Sequence, residues 1–244
     1  MKLLVDIGNT RIKWATENKH IIQESRAVNH HSLTFIEKIK QTWLGLGTPE
    51  IIAVSSVSKQ QIVDQLLDLA KNIWPNITVI IAKSSSQGFS VKNAYQDATK
   101  LGVDRWLGLI ALQHYYPDTR CIIDCGTAIT LDVLDVQGQH LGGLISPGLQ
   151  LMKQSLSSGT ERLSADESEF SVGLACYTEA AIYSGTLLAA VGLIEKVLAD
   201  LCNGSDNIIL TGGDALVLSR HLKCQYIIEP DFILKGLSLY SRLW

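Results

Sequence analysis

Apolar residues along this chain come in short blocks, each closed by a turn signal. Leu3-Leu4-Val5 and Ile7 form a strand-length run that carries Asp6 and ends in Gly8-Asn9-Thr10. Residues 11–17 read as a second strand, Asn18-Lys19 as a turn, and residues 20–27 as a third strand. Further on come a strand at 50–57, a helical period at 58–73, a strand at 77–82 and a helix at 104–114. The order then returns. Cys121-Ile122-Ile123-Asp124-Cys125-Gly126-Thr127 repeats the opening phrase with the Thr one place nearer the Gly. Residues 129–136 and 140–145 make a hairpin around Gln137-Gly138, and a helix follows at 149–156. A strand at 207–210, the turn Thr211-Gly212-Gly213-Asp214, a helix at 215–222, a strand at 225–228 and a helix at 232–243 complete the series.

Each half thus reads as β-β-β-α-β-α-β-α. Three antiparallel strands extended by crossovers give a mixed sheet with helices on both faces. The fold class expected is α/β, two ribonuclease-H-like domains at 1–117 and 118–244 with a nucleotide cleft between them. Fold alone does not choose a function.

The repeated phrase has a chemical logic. Glycine lets the backbone approach a phosphate, and free N–H groups in the turn with a Thr hydroxyl can bond its oxygens. A strand-end Asp repels phosphate, so it holds a cation or a cation-bound water instead. One such turn is equally an ordinary strand-to-turn junction; two in matching contexts point to a phosphate-and-cation clamp.

Composition narrows the classes. Net charge of −3 and a pI near 6.1 leave no basic footprint for nucleic acid. Five Cys, with no Cys-x-x-Cys pair and no His cluster, read as thiols of a reducing cytosol, and a cytoplasmic location is expected. The first apolar run breaks at Asp6, too early for a signal peptide. Residues 180–201 are apolar but carry Glu195, Lys196 and Asp200, which fits a core or interface helix better than a membrane span.

Three further segments carry candidate chemistry. Gly102-Val103-Asp104-Arg105 opens a helix, where a first-turn carboxylate is favoured by the dipole and could accept a hydroxyl proton. Arg105 offers a planar fork for a carboxylate or phosphate; a plain capping acid with a salt-bridged Arg is the other reading. Gly142-Gly143 through Pro147-Gly148 allows close backbone approach or is simply a turn-rich stretch. Thr211-Gly212-Gly213-Asp214-Ala215 leaves amides open to a flat base or ribose.

Together these motifs resemble one family, the type III pantothenate kinases of bacteria. The matching elements are Asp6-Ile7-Gly8-Asn9-Thr10 with Lys13, Gly102-Val103-Asp104-Arg105, and Asp124-Cys125-Gly126-Thr127-Ala128 with Thr130 and Asp132. Gly142-Gly143 to Pro147-Gly148 and Thr211-Gly212-Gly213-Asp214-Ala215 complete the set, which runs in family order across nearly the whole chain. The resemblance implies ATP-dependent phosphorylation of pantothenate to 4′-phosphopantothenate, the first step of coenzyme A synthesis. It implies a homodimer using Mg2+ with ATP and a monovalent cation, K+ or NH4+.

By that resemblance Asp6, Ile7, Gly8, Asn9, Thr10, Arg11, Ile12 and Lys13 form the first ATP loop, and Thr127, Gly212 and Gly213 also contact ATP. Asp104 is the general base. Tyr95, Gly102, Val103, Asp104, Arg105 and Thr178 contact pantothenate, and Asp124 holds the monovalent cation. Two positions depart from the family: no proline lies between Tyr95 and Gly102, and Tyr177 stands where Asn often precedes the helix threonine. Without the family match, Tyr95 reads as a loop aromatic and Thr178 as a helix cap. The competing expectation is a nucleotide-binding accessory or regulatory protein of the same fold without kinase activity. The intact Asp104 weighs against it.

Overall fold

The computed structural model describes residues 1–158, 170–201 and 208–243. The chain divides into two compact units: Met1–Tyr115 with Gln137–Gln139 and Asp231–Trp244, and Tyr116–Val136 with His140–Pro230.

The first unit starts with β1 (Lys2–Ile7), β2 (Arg11–Asn18), β3 (Ile21–Ile22) and β4 (Arg26–Asn29). Then come α1 (Phe35–Leu44), β5 (Ile51–Ser56), α2 (Gln60–Ile73), β6 (Thr78–Ile81), the small hairpin β7 (Gln87–Gly88) and β8 (Val91–Lys92), and α3 (Val103–Tyr115). The sheet order is β3-β2-β1-β5-β6, with β4 also on β2. β1 runs antiparallel to β2 and parallel to β5. Leu3, Val5 and Ile7 on one face of β1 and Leu4 on the other are all buried, as a strand covered on both faces requires. On one face Leu3, Val5 and Ile7 share a core with Ile39 and Trp43 of α1 and Val63 and Leu66 of α2.

The second unit contains β9 (Cys121–Cys125), β10 (Ala128–Leu134), β11 (His140–Pro147), α4 (Leu149–Ser158), α5 (Thr178–Leu201), β12 (Ile208–Thr211), α6 (Ala215–Ser219) and β13 (Tyr226–Ile228). Its sheet order is β11-β10-β9-β12-β13, the same antiparallel-then-parallel plan. Cys121, Ile123 and Cys125 pack with Leu187, Ala190, Val191 and Ile194 of α5. By length and composition α5 could cross a membrane, and half of its apolar window is buried within this unit.

The last helix, α7 (Phe232–Tyr240), differs from the expected division at 117/118. It belongs to the first unit, packed along α3 and against β1 and β5. The contact is backbone-close: a Cβ on Gly236 would sit 2.1 Å from the Leu107 carbonyl oxygen, so only glycine fits.

Other differences are local. The expected third strand at 20–27 is two short pieces, because Gln23 turns back to donate to the Thr16 carbonyl and the Ser25 hydroxyl leaves to bond Asp231. α1 fills a stretch where no element was expected; Phe35, Ile39 and Trp43, spaced four apart, bury one face. α6 stops at Ser219, where His221 and Leu222 N–H groups make tighter i→i+3 bonds that end the helix early. The strand expected from 207 is described from Ile208. Position 207, Cys202 and 159–169 of the serine-rich segment lie outside the described residues.

Candidate active site

In the first unit β1 delivers Asp6 to the sheet's end. Its register partners are Lys13 on β2 and Ser55 on β5, so the three side chains share one face. The turn after it is tight, with the Gly8 N–H donating to the Arg11 carbonyl at 2.9 Å. Asp6 Oδ1 is shut off from solvent and makes no hydrogen bond. Burial first, and the charge of Asp104 second, push the Asp6 carboxyl up to about 7; Ser55 and Lys13 offset part of this. The Ser55 hydroxyl faces Asp6 yet closes no hydrogen bond of ordinary geometry. Lys13 lies 3.3 Å from Asp231, which also accepts from Ser25 at 2.7 Å.

Asp104 occupies the first turn of α3, and its Oδ1 accepts the Arg105 N–H at 2.7 Å. The fold therefore brings Asp6, Lys13 and Asp104 into one electrostatic group. Arg105 is buried, and its guanidinium donates to the Tyr95 hydroxyl at 2.8 Å while lying 5.6 Å from that ring's centre. Tyr95, Gly102, Val103, Asp104 and Arg105 thus form one contiguous patch. Where the family has proline, Asp97 accepts from the Thr99 N–H and hydroxyl, and a 3-10 turn at Ala98–Lys100 shapes the loop.

In the second unit β9 delivers Asp124, whose register partners are Thr130 on β10 and Thr211 on β12. The Gly126 N–H donates to the Ala128 carbonyl at 3.1 Å, closing the turn that carries Thr127. The Gly212-Gly213 turn lies against it, with the Asp214 N–H donating to the Cys125 carbonyl at 2.9 Å. Gly212 has φ +90°, and a Cβ there would come 2.4 Å from Asp124 Oδ1 and 2.6 Å from the Cys125 carbonyl. Asp124, Thr127, Gly212 and Gly213 are therefore brought together. Burial, with the charges of Asp124 and Asp214, holds the Cys125 thiol far above its usual range, so it stays protonated and inert.

Thr178 stands apart from that group. It begins α5 and lines a groove of about 710 Å³ between α4 and α5, beside Met152, Cys176 and Tyr177; no other expected site residue lines it. Sequence reasoning missed His30, Asp97 and Asp231. Asp97-x-Thr99 is a readable turn signal, but His30 and Asp231 act through contacts distant in sequence, for which no local motif exists.

The donor sets fit the implied cations. An orphaned, buried Asp6 oxygen next to the Asp104 charge is what Mg2+, or water on it, satisfies. Among the described residues no three His, Cys, Asp or Glu side chains form a metal cage. At Asp124 a carboxylate with Thr130 and Thr211 as register neighbours offers oxygen-donor chemistry, which a hard cation could use.

Two mixed sheets, each ending a central strand in a carboxylate followed by a glycine turn, define the fold of the actin and sugar-kinase type. Solved structures share that fold. A Campylobacter jejuni protein described as a conserved Baf family transcriptional activator has a TM-score of 0.63 at 21% identity, covering 99% of this chain and 98% of its own. A Sinorhizobium meliloti protein described as a 2-dehydro-3-deoxygalactonokinase has a TM-score of 0.58 at 11% identity, covering 100% and 96%. Sequence narrows the class. The family model for type III pantothenate kinase matches residues 2–200. The type III pantothenate kinase of Nitrosococcus oceani is 37% identical over 99% of this chain and 94% of its own length. That of Dichelobacter nodosus is 32% identical over 97% and 96%. The chain belongs to the type III pantothenate kinase family.

Proposed function

We propose that this protein transfers the γ-phosphoryl group of ATP to the primary hydroxyl of pantothenate, giving 4′-phosphopantothenate and ADP. This is the entry step to coenzyme A. The observation that carries the reading is the Asp6–Lys13–Asp104 group beside the Tyr95–Arg105 patch, in a chain of this family.

ATP is held by Asp6 to Lys13 and by Thr127, Gly212 and Gly213. Pantothenate is held by Tyr95, Gly102, Val103, Asp104 and Arg105, with the Arg105 fork, steadied by Tyr95, matching the substrate carboxylate. Thr178, at the start of α5, contributes to the pantothenate pocket of a second copy across the dimer. Phosphoryl transfer passes through a loose transition state, so positioning and charge screening carry most of the rate. Asp104 accepts a hydrogen bond from the hydroxyl, orients it, and takes its proton late, because an ordinary carboxylate is too weak a base to remove it early. Asp6 would hold Mg2+ or a water on it, and Asp124 would hold K+ or NH4+; when bound, these cations would supply screening of the phosphate charge.

The active form is a homodimer in the cytoplasm, formed through the α5 face. Support comes from exposed Leu188 and from the small exposed residues Ala181, Gly185, Ala189 and Gly192 along one side of α5, which permit close helix packing. No nucleic acid or membrane is involved.

The test is ADP release from Mg-ATP with and without pantothenate, in matched K+ and Na+ buffers. Pantothenate-dependent release that needs K+ is expected. Release independent of pantothenate in both buffers, from folded protein, would overturn the assignment.

A further inference from the structure

We infer that His30 is a positioning residue for the first ATP loop, an inference that rests on Asp6 to Lys13 being that loop. His30 follows β4 directly, one residue past the last β2–β4 pair, Arg11 with Asn29. Its N–H donates to the Thr10 carbonyl at 3.1 Å, continuing the ladder into the turn. Its ring returns to the same turn: Nε2 lies 3.0 Å from the Gly8 carbonyl. A carbonyl oxygen only accepts, so Nε2 carries the hydrogen. One residue therefore fastens both ends of Gly8-Asn9-Thr10.

The ring is itself held. His30 is 8% exposed, lies edge-on to Phe35 of α1, and meets the His31 ring at 4.7 Å. Asn29 Oδ1 accepts the His31 N–H at 2.9 Å, which fixes the turn at 29–31. A phosphate loop works by presenting N–H groups that need no rearrangement when the ligand arrives. Tying the Gly8 and Thr10 carbonyls back to His30, while the Gly8 N–H is held by the Arg11 carbonyl, fixes the turn in one shape and keeps those two carbonyls from swinging toward a bound phosphate. Asn9, at the tip between these ties, is exposed.

The experiment measures KM for ATP, KM for pantothenate and kcat in the full-length enzyme for His30→Phe, His30→Gln and Thr10→Ala, with thermal melting to confirm folding. Phe fills the same space without a donor; Gln places an amide N–H near the Nε2 position. For His30→Phe the ATP KM rises about fivefold, the scale of one hydrogen bond, and pantothenate KM stays within twofold. His30→Gln restores ATP KM to within twofold of the parent. Thr10→Ala also raises ATP KM about fivefold.

If Thr10→Ala raises ATP KM and folded His30→Phe does not, the His30 role is overturned and the loop assignment stands. An equal rise in both KM values for His30→Phe shows general disruption and overturns the role as well. Unchanged ATP KM in Thr10→Ala overturns the loop assignment and this inference with it. Where His30→Phe yields no folded protein, His30→Gln decides: ATP KM within twofold supports the role, and a rise of fivefold or more overturns it.

Discussion

The two strand-end carboxylates share a scaffold and differ in their surroundings. Asp6 and Asp124 each close a central strand, each precede a glycine turn, and each have one antiparallel and one parallel neighbour. Around Asp6 those neighbours are Lys13 and Ser55, with Asp104 near enough to raise its pKa. Around Asp124 they are Thr130 and Thr211. The parallel strand's exit also diverges: Ser56-Val57 in the first unit, Gly212-Gly213 in the second. In the first unit the Val57 N–H caps the Ile7 carbonyl at 3.1 Å; in the second the Asp214 N–H caps the Cys125 carbonyl at 2.9 Å, one residue later. A repeated turn has thus been specialised by its neighbours. Around Asp6 the neighbours add a lysine and a second carboxylate; the exit beside Asp124 is two glycines that leave the backbone close to it.

The largest expected effect separates catalysis from binding. Asp104→Asn should lower kcat roughly a hundredfold or more and leave ATP affinity, measured by calorimetry, within a few-fold. Near-full turnover would move the base elsewhere and end the division of labour.

The next test asks whether the glycine turns are equally constrained. Gly212→Ala combines φ +90° with contacts of 2.4 and 2.6 Å, whereas a Cβ on Gly8 meets only the Arg11 carbonyl at 3.3 Å. On the scale of backbone strain and overpacking, Gly212→Ala should cost about 2 kcal/mol or more in urea unfolding and Gly8→Ala about 1 kcal/mol or less. Equal losses would mean that the second turn is no tighter than the first.

The smallest effect is a pH dependence confined to the first unit. An acid whose folded pKa is raised binds its proton more tightly in the folded state. Its contribution is fully present below the unfolded value near 4 and is lost as pH rises through about 7. Between pH 6 and 8 the wild type should lose about 1.4 kcal/mol relative to Asp6→Asn without Mg2+. Melting curves of both proteins across that range measure it. Asp104→Asn should shrink the loss, since its charge is the second cause of the shift. Parallel pH curves for wild type and Asp6→Asn would mean that Asp6 is not held in this environment.

Much of this was legible from pattern alone. The strands bearing Asp6 and Asp124, their hairpins, the helix opening at Asp104 and the glycine turn at 212–213 all announce themselves by short-range signals. The placement of α7 does not, because its sequence is apolar whichever unit it joins; only the Gly236–Leu107 approach decides. α1 was readable from Phe35, Ile39 and Trp43 but follows a polar stretch that resembles a loop. The ties of His30 to Gly8 and of Asp231 to Lys13 span 22 and 218 residues, and no local rule reaches that far. Family resemblance supplied the roles of Tyr95 and Thr178. Tyr95 bonds Arg105 within the first unit, and Thr178 lines a groove beside α5 in the second.

The location of α7 has a consequence for biosynthesis. Its sequence lies beyond the whole second unit, yet it covers the sheet face bearing β1 and the helix bearing Asp104. The first unit, although its opening strands emerge first from the ribosome, lacks one helical layer until translation has passed residue 240. At ordinary elongation speeds that leaves an open sheet face for roughly 10 s. During that interval Leu107 and its neighbours on α3 are apolar surface awaiting a lid.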